Sequence, residues 1–198
     1  MNRFAASLLA LALFLSLAAC GEGGLSLRPE GGKKGSDVIT PEDGVALGYE
    51  GDTLRTKYFE MTVENPRTSG EYNGLTAEKG YKFLAADLTL YNHTNVTQPM
   101  FDTDFEVVWD LDDDDAWAWP ECYEEEGAGG ELEYSVKSDD QIPVEFELGI
   151  HKTATGVLLY QVPENCKDFY IAYYEIGEPE EEGGEPEYGD SFFVRFSA

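Results

Sequence analysis

The chain has 198 residues, with 40 Asp and Glu against 13 Lys and Arg and a formal net charge of −27 at pH 7. That length suits one domain plus a terminal segment. A surface this acidic repels phosphates and anionic headgroups, which sets nucleic-acid binding aside as a function class.

The N-terminus reads as an export signal. Met1-Asn2-Arg3 is a short positive start, and Phe4 to Ala19 is apolar apart from Ser7 and Ser16. A membrane-spanning helix needs about 20 apolar residues, and this run is shorter and ends in small residues, the pattern of a cleaved signal rather than a retained anchor. The junction Leu17-Ala18-Ala19-Cys20-Gly21 resembles the lipobox of bacterial lipoproteins. The resemblance implies that residues 1–19 are removed and that the Cys20 thiol carries a diacylglycerol, which anchors the protein to a bacterial membrane outside the cytoplasm. Each buried lipid methylene contributes about 0.8 kcal/mol, and two chains hold where one does not. Cleavage also removes Arg3 and makes the chain one unit more negative.

Residues 20–48 are rich in Gly and charge, as in Gly21-Glu22-Gly23-Gly24 and Gly31-Gly32-Lys33-Lys34-Gly35. The expectation is a flexible tether that buries too little apolar surface to offset the entropy of ordering. From Tyr49 the pattern becomes period two, so residues 49–198 are expected to form the folded domain. Leu84, Ala86, Leu88 and Leu90 share one face of a strand over 82–92. Phe105, Val107 and Trp109 alternate over 104–110, and Val144, Phe146, Leu148 and Ile150 over 143–150. Further strands are expected over 53–64, 132–137, 155–162, 168–176 and 191–197, where β-branched and aromatic residues dominate. Asn65-Pro66, Asn73-Gly74, Lys79-Gly80 and Pro163-Glu164-Asn165 supply turns. Eight or so short strands with turns between them predict an all-β, antiparallel two-sheet sandwich.

Two acidic segments, 110–126 and 178–190, read as exposed loops whose self-repulsion is screened by water. The first holds the chemical candidates. Asp110, Asp112 and Asp114 alternate, with Glu121 eleven residues after Asp110, and this resembles part of an EF-hand calcium loop. Hard oxygen donors in that pattern suit Ca²⁺. Against it, Asp115 stands where the sharp turn needs Gly, and the flanks read as strands; the plainer alternative is an acidic hairpin between Trp109 and Trp117. Trp109, Trp117, Trp119 and Tyr123 form a possible aromatic binding surface, or equally a set of core side chains. With Cys20 assigned to lipid, Cys122 and Cys166 remain. Export permits a bridge between them, but spacing alone does not choose between a disulfide and two idle thiols. The two histidines, His93 and His151, lie in turns with no metal-ligand spacing and are expected to be solvated. No phosphate loop or nucleophile elbow is present, so no catalytic residue is assigned and the expectation is a protein without enzymatic activity.

Three passages of the domain resemble the DUF4352 domains of bacterial surface lipoproteins, which have telokin-like or immunoprotective-antigen-like immunoglobulin folds. They are Tyr58-Phe59-Glu60-Met61-Thr62-Val63, the stretch Gly80 to Asn92, and Thr155 to Pro163 ending in Val-Pro. Asp104-Phe105 resembles the pair that opens a strand between them. The resemblance implies an immunoglobulin-like sandwich outside the membrane and no catalytic residues. The leading expectation is a tethered binding module for a protein or envelope component, without cofactor. The alternatives are a calcium-binding surface domain centred on 110–121 and a purely structural envelope lipoprotein.

Overall fold

The computed structural model describes residues 38–127, 130–177 and 187–198. The expected signal peptide and lipid-bearing Cys20 lie outside the described residues. The first half of the chain forms strands β1 (Val38–Ile39), β2 (Val45–Tyr49), β3 (Thr53–Arg55), β4 (Phe59–Ser69), β5 (Glu71–Tyr72), β6 (Leu75–Thr76) and β7 (Tyr81–Asn92). The second half adds β8 (Gln98–Phe101), β9 (Phe105–Val108), β10 (Trp117–Ala118), β11 (Cys122–Glu126), β12 (Leu132–Val136), β13 (Glu145–Leu148), β14 (Thr153–Pro163), β15 (Asp168–Gly177) and β16 (Glu187–Ser197).

Two five-stranded sheets form a sandwich, ordered β1-β3-β4-β7-β14 and β10-β9-β15-β16-β2. The alternation seen in the sequence sets what lies between them. From the first sheet come Met61, Val63, Leu84, Ala86, Leu88, Leu90, Leu158 and Tyr160. The second contributes Phe105, Val107, Phe169, Ile171, Phe192 and Val194. Burying each such side chain contributes roughly 1.5–3 kcal/mol, set against the entropy of ordering it. The Tyr160 hydroxyl reaches across the layer and donates to Phe105 O at 3.1 Å, so the one polar atom of that wholly buried side chain is satisfied.

Both sheets are also partly covered outside. Phe83, Ala85, Val157 and Leu159 point away from the core, and Tyr72 and Leu75 of the β5–β6 ribbon pack on them. The Asn73-Gly74 turn of that ribbon has φ of 45° and 87°, the geometry that suits a two-residue hairpin. On the second sheet, Val108, Ala172 and Phe193 form a smaller outward cluster against Trp117 and Tyr170.

The structure corrects several boundaries. The described residues already hold strands inside the stretch 20–48 expected to be tether. Val38-Ile39 pairs with β3, while Val45–Tyr49 runs beside β16 and places Ala46 in the core. These apolar pairs are too short to stand out against the glycine and charge around them. Both pairings are parallel, so each sheet is antiparallel except for one parallel edge strand. The single strand expected over 53–64 is two antiparallel strands, β3 and β4, joined at Thr56. Asn65-Pro66 does not end β4; Asn65 has φ 50° and the pair forms a bulge, after which Arg67 to Ser69 pair again with β7. Within the acidic stretch 110–126, Trp117-Ala118 and Cys122–Glu126 are strands rather than loop.

Candidate binding groove

Two small ribbons stand apart from the main sheets and form a groove. The first is β11–β12, registered from Cys122 opposite Val136 to Glu126 opposite Leu132. Alternation in β12 puts Leu132, Tyr134 and Val136 on one face and Glu133 and Ser135 on the other. Residues directly opposite in an antiparallel pair share a face, so Glu124 and Glu126 stand beside Tyr134 and Leu132. On the far face Glu125 opposes Glu133, a like-charge pair that survives because both are exposed and screened.

The base of this ribbon is fastened to the sandwich. Glu121 donates its backbone N–H to Leu159 O at 2.7 Å, and Gln141 Nε2 donates to Glu121 O at 2.8 Å. The Glu121 carboxylate pairs with the Lys137 ammonium, which also lies 5.8 Å from the centre of the Tyr123 ring.

The second ribbon is β8–β13, paired from Gln98 opposite Leu148 to Phe101 opposite Glu145. Between the ribbons lies an open groove of about 580 Å³. Leu132, Tyr134 and Val136 face Phe101, Pro143 and Val144 across it. Asp139, Gln141 and Glu145 complete the lining. Both polar ends of Gln141 are occupied, its Oε1 by the Ser138 N–H and its Nε2 by Glu121 O. The groove therefore offers apolar contact and negative charge, with no nucleophile paired to a base.

The turn at one end of the groove is held from two sides. Segment 140–142 lies along the outer edge of β14, where Val157 N donates to Asp140 O and Ile142 N to Val157 O. From the other side Tyr72 donates its hydroxyl to Asp140 Oδ2 at 2.6 Å, and Asn73 Nδ2 donates to Ser138 Oγ at 2.7 Å. Burial would raise the Asp140 carboxyl, but the hydrogen bonds from Ser138, Tyr72 and Asn73 outweigh it and hold the group below its ordinary value. Burial and the neighbouring Asp140 push the Tyr72 hydroxyl up, so it remains a donor. Arg67 completes the outer network, donating to Asp87 Oδ1 at 2.8 Å.

The residues singled out in the sequence are not assembled here. Asp110 and Asp113 cap their own loop, accepting from Asp112 N and Asp115 N at 3.0 Å each. Glu121 is turned to Lys137, and among the described residues no three acidic, histidine or cysteine side chains converge as metal donors. The calcium donor set Asp110, Asp112, Asp114 and Glu121 is thus not brought together. The run is instead the β9–β10 connection, with Trp109 N donating to Ala116 O and Trp117 opposite Val108.

The aromatic set is also split. Trp109 packs on the core, Trp117 joins the outward cluster of the second sheet, and Tyr123 sits on the ribbon. Trp117 and Trp119 meet, edge to face, with ring centres 5.0 Å apart. Cys122 and Cys166 are not bridged; both remain half-buried thiols. His93 is half-buried rather than solvated, its Nε2 lying 3.0 Å from Thr56 O, whereas His151 is exposed at a turn with φ 53°. The groove was missed in the sequence because its walls come from separate stretches of the chain, Phe101 in β8, Leu132 to Val136 in β12 and Pro143 to Glu145 at β13. Its one local signal is Leu132 in an otherwise acidic stretch, 53% exposed.

No protein-family model matches the chain, and no curated protein matches it. Solved structures that match in fold include the following three. The yjhA protein of Bacillus subtilis is 18% identical with a TM-score of 0.43, over 64% of this chain and 79% of that one. The candidate lipoprotein ycdA of Bacillus subtilis is 10% identical with a TM-score of 0.48, over 73% of this chain and 38% of that one. An uncharacterized beta-sandwich protein of Clostridium difficile 630 is 13% identical with a TM-score of 0.41, over 82% of this chain and 96% of that one. What this chain is similar to in each case is the course of the backbone alone, and the fold itself is an all-β two-sheet sandwich.

Proposed function

We propose that the protein is a lipid-anchored extracytoplasmic binding module without catalytic activity, its sandwich holding the groove between β12 and β13 away from the membrane. The anchoring half rests on the apolar leader and the Leu17-to-Gly21 junction. The DUF4352 resemblance at residues 58–63, 80–92 and 155–163 belongs to the same reading. The binding half rests on one observation: two ribbons separate from the main sheets expose an apolar groove rimmed by carboxylates. Loops and ribbons on a rigid scaffold are where recognition usually resides.

Fractionation tests the anchor. The full chain should float with membranes, and Cys20→Ser should move to the soluble fraction; a Cys20→Ser chain that stays with membranes ends the anchoring reading. Capture from envelope extract tests the groove. A partner retained by the parent and lost with Tyr134→Ala supports it, and equal retention by both removes it.

A further inference from the structure

We propose that the groove takes a basic, extended peptide segment carrying apolar side chains, an inference that rests on the binding-module reading above. The occupant follows from what the walls offer. Leu132, Tyr134 and Val136 form one apolar wall and Phe101, Pro143 and Val144 the other, so the ligand must bring apolar groups to fill the space between them. The rim is of one sign. Asp139 and Glu145 line the groove, and Glu124 and Glu126 stand on the groove-side face of the ribbon.

None of these four carboxylates is held in an ion pair among the described residues. The lysine that follows β12 does not serve them. Lys137 follows Val136 in the chain, and its ammonium is taken by Glu121 and the Tyr123 ring. A cationic ligand therefore meets carboxylates that no cation among the described residues neutralises, while an acidic one meets like charge along the rim.

An extended backbone suits the shape. Among the described residues the β11–β12 ribbon has two strands, and the edge of β12 away from β11 pairs with no further strand. Such an edge can accept a further strand, every second side chain of which would share the face of Leu132, Tyr134 and Val136 with the Glu124 and Glu126 carboxylates beside it. The net charge of −27 adds long-range attraction for a basic segment.

The test uses the full lipidated chain in detergent and a synthetic octapeptide alternating lysine with valine and tyrosine, followed by fluorescence anisotropy. The controls are the same peptide with glutamate for lysine, and oligolysine without apolar residues. The alternating basic peptide should bind, and both controls should bind at least about tenfold more weakly. Leu132→Ser and the pair Asp139→Asn with Glu145→Gln should each weaken binding by about fivefold or more. Both Leu132 and the two carboxylates are exposed, so these variants are expected to fold, and an unchanged melting temperature checks that. Binding of oligolysine equal to that of the alternating peptide overturns the proposal in favour of plain polyanion attraction. Equal binding of the acidic peptide, or variants without effect, also overturns it. If no peptide binds but envelope capture stays sensitive to Tyr134→Ala, the occupant is wrong and the groove stands. If capture is insensitive as well, the binding-module reading fails with it.

Discussion

Gly156 in β14 lies directly against the backbone of Ile142: a β-carbon built there would stand 2.6 Å from both the Ile142 amide nitrogen and its Cα. The close approach lets segment 140–142 hydrogen-bond along the edge of β14, through Val157 N to Asp140 O and Ile142 N to Val157 O. It also covers an edge strand that would otherwise be open to pairing with another chain. Backbone cannot yield as a flexible side-chain tip can. Gly156→Ala should therefore destabilise the domain by about 1–3 kcal/mol, the range for overpacking. In a thermal melt this corresponds to a fall of roughly 3–10 °C. Asp139 and Pro143 flank the displaced segment, so the same variant should weaken any ligand held in the groove. A melting temperature unchanged from the parent would show that the segment does not pack on β14 as described.

Thr56 organises the β3–β4 corner with one hydroxyl. Its Oγ1 accepts from Tyr58 N at 3.0 Å and Phe59 N at 2.9 Å, and donates to Phe59 O at 3.0 Å. The side chain is only 4% exposed, so water cannot replace these bonds. Thr56→Val keeps the shape and removes the oxygen, leaving two backbone donors without that partner. The expected loss is about 1–3 kcal/mol, read as a lower urea midpoint with the slope unchanged. Thr56→Ser retains the oxygen and should recover most of it.

The same corner shows what was legible in the sequence and what was not. Residues 53–64 read as one strand because β-branched and aromatic residues dominate them. Nothing in a periodicity reveals that a threonine hydroxyl will replace ladder hydrogen bonds and reverse the chain. Long strands buried on one face were readable: Leu84, Ala86, Leu88 and Leu90 all face the core as their spacing requires. Phe83 and Ala85 were not placed, because their burial depends on a separate ribbon carrying Tyr72 and Leu75. The groove fails for the same reason. Its apolar walls meet only in three dimensions, and the acidic residues that drew attention, Asp110 to Asp114, turn out to cap a hairpin.

Cys122 and Cys166 offer a chemical check on the ribbon's placement. Cys122 begins β11, and Cys166 lies in the turn after β14, its backbone N–H donating to Pro163 O. Burial raises the Cys166 thiol above its ordinary value, more than the nearby Lys82 lowers it, so little thiolate forms near neutral pH. Alkylation of the unreduced protein after denaturation should label both thiols by mass spectrometry, and labelling in the native state should be slow at Cys166. Should both stay unlabelled until a reductant is added, the two sulfurs are joined and the β11–β12 ribbon sits closer to that turn than described.

Asp104 should leave a signature in the pH dependence of stability. Burial raises its carboxyl from 3.8 to about 6, while the hydrogen bond donated by Phe101 N at 2.9 Å pulls the other way. The folded chain therefore keeps a proton between about pH 4 and 6 that the unfolded chain has released. Stability from this group is fully present below pH 4 and is lost as pH rises through 6. A shift of this size corresponds to at most about 3 kcal/mol, and solvent reaching the partly exposed side chain trims it to about 1–2 kcal/mol. Asp140 has the opposite sign, since its lowered carboxyl stabilises above its ordinary value and that benefit fades only as pH falls below about 3.8. The two windows do not overlap, so they separate in one experiment. Urea unfolding at pH 4 to 7 should show the parent losing stability relative to Asp104→Asn, whose amide can still accept from Phe101 N but cannot ionise. Parallel curves for parent and variant would mean that the Asp104 carboxyl titrates as if exposed, and that the turn before β9 is open to water.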